Sequence, residues 1–211
     1  MLNIKFFTFS PIQENTYVLY NENRSCIIID PGTYFEEEKE QLTEFINTNK
    51  LIPKHLINTH CHLDHVFGNK YVAETYDLIL QIHPEEEAVL QFGPTSGLIY
   101  NLPFDNYQGE FKFLNEGDTI SIDEDQLEII HAPGHSPGSI CFYCKAQKFL
   151  IGGDVLFNRS IGRTDLPLGN HNDLITSIRE RLFILPDDVI VYSGHGRPTT
   201  IGEEKQFNPF L

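Results

Sequence analysis

Four apolar runs in this 211-residue chain each end in a histidine or an aspartate: Ile27 to Asp30 (IIID), Leu56 to His60 (LINTH), Phe149 to Asp154 (FLIGGD) and Val189 to His195 (VIVYSGH). The runs are rich in β-branched residues and read as buried strands. The polar residue closing each run stands beside Gly, Pro or another metal-type side chain, and glycine lets the backbone turn sharply and approach a ligand. A chain built this way is expected to bring its strand ends to one edge of a sheet, where open α/β sheets hold their sites. A further turn, His131 to Gly138 (HAPGHSPG), also follows a strand, and its two Pro-Gly pairs stiffen the loop around His135.

The same signals place strands over 2–9, 15–20, 26–29, 56–59, 78–82, 119–122, 127–131, 139–143, 149–151 and 189–192. Helices are predicted over 36–47, 66–76 and 173–182. Strands and helices in both halves fit two sheets covered by outer helices, with a three-layer open sheet as the alternative. A chain of this size buries roughly 70% of its unfolded surface, and a single domain over residues 1–211 is expected.

Charge narrows the partners. Thirty acidic against 15 basic residues give a formal charge of −15, a field that repels nucleic acid and anionic membrane surfaces. The chain has no apolar tract long enough for a membrane span, and its first residues lack the long apolar core of a secretion signal; a cytoplasmic location is expected. Four irregularly spaced cysteines, Cys26, Cys61, Cys141 and Cys144, do not make a disulfide framework. Cys141 and Cys144 lie three apart on an extended run and so face opposite sides; all four read as small buried hydrophobes.

The densest chemistry lies in His60 to His65 (HCHLDH). Two residues apart on an extended segment, His60 and His62 point the same way and can share a metal, while Cys61 points away. Asp64 and His65 fall where the chain turns into a helix, so they can face a second position nearby. A simple helix cap explains Asp64 alone, but four such residues within six positions favour a metal site.

The HCHLDH run matches the HxHxDH signature of the metallo-β-lactamase fold, and His135, Asp154 and His195 follow in the order of that superfamily's later ligands. The stretches 152–157 (GGDVLF), 162–165 (GRTD), 194–202 (GHGRPTTIG) and 208–211 (NPFL) resemble the short glyoxalase II-like branch, across almost the whole chain. The resemblance implies an α/β (α+β) fold, a four-layer αββα sandwich with metals along one edge. It implies that His60, His62 and His135 bind a first metal, that Asp64, His65 and His195 bind a second, and that Asp154 bridges them. Two divalent ions are expected, zinc first and iron or manganese as alternatives. Asp30 matches the early aspartate of the fold and is expected to orient the His loop from beneath.

The activity implied is hydrolysis of an S-acyl (hydroxyacyl) glutathione or a related small acyl thioester by a metal-held hydroxide, with Asp64 and Asp154 as the catalytic carboxylates. After His195 only 16 residues remain, so the C-terminal helical domain that supplies much of the glutathione pocket in full-length glyoxalase II is not expected. Two segments are candidates to contact substrate instead: the basic loop with Arg159 and Arg163, and the aromatic stretch 92–107. Pairing of Arg163 with Asp165 and plain packing of the aromatics are the structural alternatives. The rival activities are a persulfide dioxygenase with one iron on His60, His62 and Asp154 or a similar set, and a lactonase. A metal-binding protein without catalysis stands last, because an open water position is a catalytic feature.

Overall fold

The structure, a computed structural model, describes residues Met1–Leu211. The first sheet holds β1 (Asn3–Phe9), β2 (Glu14–Tyr20), β3 (Ser25–Ile29), β4 (Ile52–Ile57), β5 (Leu80–Ile82) and β6 (Phe111–Phe113) in that spatial order. Its first three strands meander antiparallel; from β3 onward neighbours run parallel. The chain then forms β7 (Thr119–Ile122), β8 (Asp125–His131), β9 (Ile140–Cys144), β10 (Phe149–Gly153), a small ribbon of β11 (Leu156–Phe157) and β12 (Ser160–Ile161), β13 (Ile190–Ser193) and β14 (Thr199–Thr200). The second sheet runs β14-β13-β10-β9-β8-β7, with only β10 and β13 parallel.

Side-chain alternation along these strands builds the layers. In β3, Ile27 and Ile29 enter the core between the sheets, while Cys26 and Ile28 face the outer helices. In β9, Ile140, Phe142 and Cys144 point into that central core, and Cys141 and Tyr143 point out. Cys141 and Cys144 therefore lie on opposite faces, as their spacing requires. Helices α1 (Glu36–Thr48), α2 (Leu63–Val66), α3 (Asn69–Tyr76) and α4 (Glu87–Ile99) cover the first sheet through residues such as Leu42, Val66, Val72 and Leu90. Helix α5 (His171–Ser177), extended by a π-helical turn over Ile178–Leu182, and α6 (Ile201–Phe207) cover the second through Leu174, Leu182 and Ile201. The result is the αββα sandwich. No helix is long and apolar enough to cross a membrane.

One helical expectation is corrected, and one helix forms where none was predicted. The helix predicted over 66–76 starts earlier, at Leu63, and is broken before Asn69. The break follows from Gly68, whose N–H is given to Pro31 O at 2.7 Å and where a Cβ would sit 2.2 Å from Thr33 Oγ1. The aromatic stretch 92–107 opens as the second half of α4, which carries Pro94 in its interior. Phe104 and Tyr107 from that stretch pack on the outer core, whereas Phe92, Ile99 and Tyr100 face a cleft.

Candidate metal centre

Strand ends deliver the site. β3 runs into Asp30, β4 into His60 and His62, β10 into Asp154, and β13 into His195; the β8–β9 turn supplies His135. α2 begins at once after His62, so one helical turn brings Asp64 and His65 back toward the same edge.

The seven residues named from sequence meet there in two groups of three, with Asp154 between them. His135 Nε2 lies 3.1 Å from His60 Nε2 and 2.8 Å from His62 Nδ1. In the other group His195 Nε2 lies 3.1 Å from Asp64 Oδ2, and His65 Nε2 lies 3.8 Å from the same oxygen. Asp154 reaches both, with Oδ1 3.5 Å from His65 Nε2 and Oδ2 3.5 Å from His135 Nε2 and 3.6 Å from His195 Nε2.

The outer nitrogens fix which face of each ring is a donor. His65 Nδ1 lies 3.0 Å from Asp30 Oδ2, His135 Nδ1 2.7 Å from Arg163 O, and His195 Nδ1 3.0 Å from Gln13 O. Each of these partners only accepts, so Nδ1 carries a proton and Nε2 is the nitrogen turned inward. His60 Nδ1 meets Thr59 Oγ1 at 3.1 Å, and that hydroxyl donates onward to Asp30 Oδ2 at 2.6 Å. Asp30 also accepts from Thr59 N at 2.7 Å. It therefore orients one ring in each group from beneath, and holds the αL conformation (φ 50°) to do so.

Burial divides the centre electrostatically. His60 is pushed well below the ordinary histidine range by burial and by its histidine neighbours, and His62 is brought down to about 3, again by burial first and then by His135. His135 is lowered for the same leading reason. Burial acts against charge at His65 too, but Asp154, Asp64 and Asp30 outweigh it and hold that ring well above the usual range. Burial raises Asp64 and Asp154, but neighbouring histidines overcome it, so both carboxyls lie below the carboxylate norm. One group is thus three neutral imidazoles, the other a mixed carboxylate and histidine set.

This donor set fits divalent cations. His65 Nε2 and Asp154 Oδ1 are buried without any hydrogen-bond partner, a costly arrangement that an ion would relieve. Two nitrogens bound tetrahedrally at about 2.05 Å stand about 3.3 Å apart, close to the imidazole spacings in the first group. Glycine makes room: a Cβ at Gly194 would fall 2.2 Å from Asp154 Oδ1, and one at Gly153, which has φ +50°, 2.4 Å from Thr59 Oγ1.

Two buried acids around the centre carried no recognisable signal in the sequence. Glu86 stands in an acidic run, yet only 1% of it is exposed. Its Oε2 accepts from Cys61 N at 2.7 Å, and its Oε1 accepts from Gly138 N at 2.8 Å and from Ser136 Oγ. One carboxylate thus joins the loop of His60 and His62 to the loop of His135. Glu14, fully buried, takes Thr16 Oγ1 at 2.9 Å and lies 4.0 Å from His65 Nδ1; burial pushes its pKa well up. Elsewhere, His83 and His131 stack at 4.2 Å and 12° beside Glu85. Rings so nearly parallel aim their lone pairs side by side instead of at one point.

A cleft of about 680 Å³ opens on the centre, reaching His62, Asp64, His135, Asp154 and His195. Arg163 lines it but is held by Asp165 through two hydrogen bonds of 2.7 and 2.8 Å. Arg159 does not line it: its guanidinium goes to Glu203 at 2.6 Å and Phe207 O at 3.2 Å, because α6 packs against that loop. Of the two arginines named from sequence, the structure brings Arg163 to the cleft and turns Arg159 toward α6.

The metallo-beta-lactamase superfamily profile matches residues 10–195. Hydroxyacylglutathione hydrolase GloC of Haemophilus influenzae is 37% identical, over 100% of this chain and 98% of its own length. The crystal structure of BLEG-1 B3 metallo-beta-lactamase superposes with a TM-score of 0.91 at 36% identity, covering 99% of both chains. That of TTHA1623 in a di-iron-bound form superposes at 0.89 and 33% identity, covering 98% of this chain and 100% of the other. With the sandwich, the edge site and these similarities in hand, the chain belongs to the metallo-β-lactamase superfamily and is a metallo-hydrolase.

Proposed function

We propose that this metallo-hydrolase is a thioesterase of the glyoxalase II type, cleaving S-hydroxyacyl glutathione or a related small acyl thioester with two metal ions. The observation that carries the reading is Asp154, whose two oxygens face His65 on one side and His135 and His195 on the other. A carboxylate so placed suits a shared ligand, with His60, His62 and His135 holding one ion and Asp64, His65 and His195 the other. When bound, such ions supply the Lewis acidity that makes water nucleophilic at neutral pH and polarises a carbonyl.

The chain's own groups do the positioning. Asp64 and Asp154 stay ionised and line the cleft, so they can accept hydrogens from a water and aim its lone pair at the acyl carbon. Asp30, Thr59 and the Arg163 carbonyl keep the histidine rings from rotating. Apolar walls at Phe157, Ile161 and Leu166 keep bulk water off the reacting bond. The GloC similarity over the full chain favours a thioester among the acyl substrates such a site takes.

The test is anaerobic thiol release from S-lactoylglutathione by zinc-loaded and iron-loaded preparations, beside elemental analysis of protein never exposed to chelator. Two metals per chain and oxygen-independent thiol release are expected. Oxygen uptake driven by glutathione persulfide, with no thioester cleaved, would overturn the reading in favour of the dioxygenase. Cleavage of a chromogenic β-lactam or a lactone at a higher kcat/KM than any thioester would replace the substrate class.

A further inference from the structure

We propose that the cleft selects the substrate by an apolar acyl chain and not by the charged groups of its thiol carrier, an inference that rests on the thioesterase reading. Outside its metal-facing floor the cleft is lined mostly by apolar side chains, with Ser96, Tyr100, Ser160 and Arg163 among them. Val89, Phe92 and Ile99 of α4 form one wall and Phe157, Ile161 and Leu166 the other. Phe92 and Ile99 are 43% and 68% exposed. Large apolar side chains left open at the lip of a binding cleft mark surface that a ligand covers.

Charge points the same way. Glutathione brings two carboxylates, which call for free cations at fixed positions. Arg163 is the single lysine or arginine lining the cleft, and both arms of its guanidinium toward Asp165 are occupied. Arg159 is paired with Glu203, and Arg197, whose Nε donates to Asn158, does not line the cleft. The net charge of −15 adds a general repulsion toward polyanionic carriers. Biological acyl carriers end in polar or charged groups, so hydrocarbon long enough to cover these walls arrives with the acyl group. Its carbonyl then lies over Asp64 and Asp154, the chain runs along α4, and the thiol departs into solvent. Hydrolysis balances without a further reactant: the C–S bond breaks, water supplies the new C–O bond, and the thiol and carboxylic acid leave.

The experiment holds the carrier constant and neutral. Acyl esters of N-acetylcysteamine from acetyl to decanoyl, and S-lactoylglutathione, are assayed for thiol release with the metal-loaded protein. Full burial of a methylene is worth a factor of about three to four, so kcat/KM is expected to rise by that order per methylene until the walls are covered, and octanoyl should exceed lactoylglutathione by at least tenfold. Phe92→Ala and Ile99→Asp, at exposed positions that leave the fold intact, should lower the octanoyl-to-acetyl ratio at least fivefold. A non-hydrolysable thioether ketone of octyl length, measured by calorimetry, should bind tighter than its acetyl counterpart by the same trend. Thiol release that is indifferent to chain length, or a tenfold KM increase for lactoylglutathione in Arg163→Gln with no chain-length slope, overturns the inference while leaving the thioesterase reading intact. No thiol release from any ester overturns both.

Discussion

Replacing Glu86 by glutamine keeps its shape and removes one acceptor from a buried junction that needs two. The carboxylate takes Cys61 N–H on Oε2, and Gly138 N–H with Ser136 O–H on Oε1. If the amide oxygen stays toward Gly138, the new NH2 confronts the Cys61 N–H; if it flips, it confronts the Gly138 N–H. Either way one buried backbone donor loses its partner, at about 1–3 kcal/mol, and the survivors lose their charge assistance. A loss near 2 kcal/mol lowers Tm by roughly 4–8 °C in a chain of this size. The second effect is the informative one. Cys61 stands between His60 and His62, and Ser136 follows His135, so the junction spaces the ligands of the first group. Loss of such a support typically costs about 10- to 100-fold in metal affinity. Zinc competition against a chromophoric chelator, run beside thermal melts, reads both. A lowered Tm with zinc affinity unchanged within twofold would refute the claim that Glu86 spaces the ligands and leave it a purely structural tie.

Asp154→Ala should keep the fold, since the residue closes β10 outside the three hydrophobic cores, but lower metal content by at least one ion per chain relative to the unsubstituted protein by elemental analysis; unchanged content with normal turnover would refute the proposed bridging role. In chelator-treated protein, His60, His62 and His135 have pKa values lowered below their unfolded value, so between pH 6 and 4 the unfolded chain binds up to three more protons at these residues. Their contribution is present above about pH 6.5 and is lost as pH falls, while His65 and His195, raised in the fold, stay protonated in both states over that window. Glu14 and Glu86, raised by burial, take up protons in the fold and offset up to two of the three, so the urea midpoint should drop only modestly from pH 6 to 4, and a rise over that window would count against three neutral histidines. None of the four buried thiols should react with iodoacetamide in the native protein, Cys26 being pushed up to about 12 by burial; mass spectrometry showing an alkylated Cys61 would contradict the packed back of the His loop. Cys141→Ala should leave metal content unchanged, because that side chain packs against α5 and its neighbours.

What was legible in the sequence was what local pattern alone decides. The runs before Asp30, His60, Asp154 and His195 are strands because short apolar runs bounded by polar and glycine residues leave few other choices, and strands β3, β4, β10 and β13 end beside those residues. The opposite facing of Cys141 and Cys144 followed from their spacing on an extended run. Features decided by distant partners were hidden. Gly93, Pro94 and Gly97 argue against a helix, yet α4 forms because the two glycines leave space for Phe104, which closes to 3.1 Å of a Cβ built at Gly93. The short strands β6, β11, β12 and β14 exist only through their neighbours. Glu86 is one acid among Glu85, Glu86 and Glu87, and nothing local distinguishes the one that turns inward. Arg159 and Arg163 looked equivalent until α6 claimed the first.

The division of the site between the sheets has a mechanical consequence. His60, His62, Asp64 and His65 follow strand β4 of the first sheet, whereas His135, Asp154 and His195 hang from the second. Neither the His60, His62 and His135 group nor the Asp64, His65 and His195 group is supplied by one sheet alone. An ion seated in either group would therefore be held from both sides of the seam, and sliding one sheet past the other would move the donors from one sheet relative to those from the other. The seam is already stitched beside it by the Tyr17 hydroxyl, which donates to Ser193 O at 2.6 Å, and by Asn15 N, which donates to Gly194 O at 2.7 Å. Shear between the halves would thus change the donor spacing in both groups together, and the Tyr17 and Asn15 contacts oppose that shear right beside them.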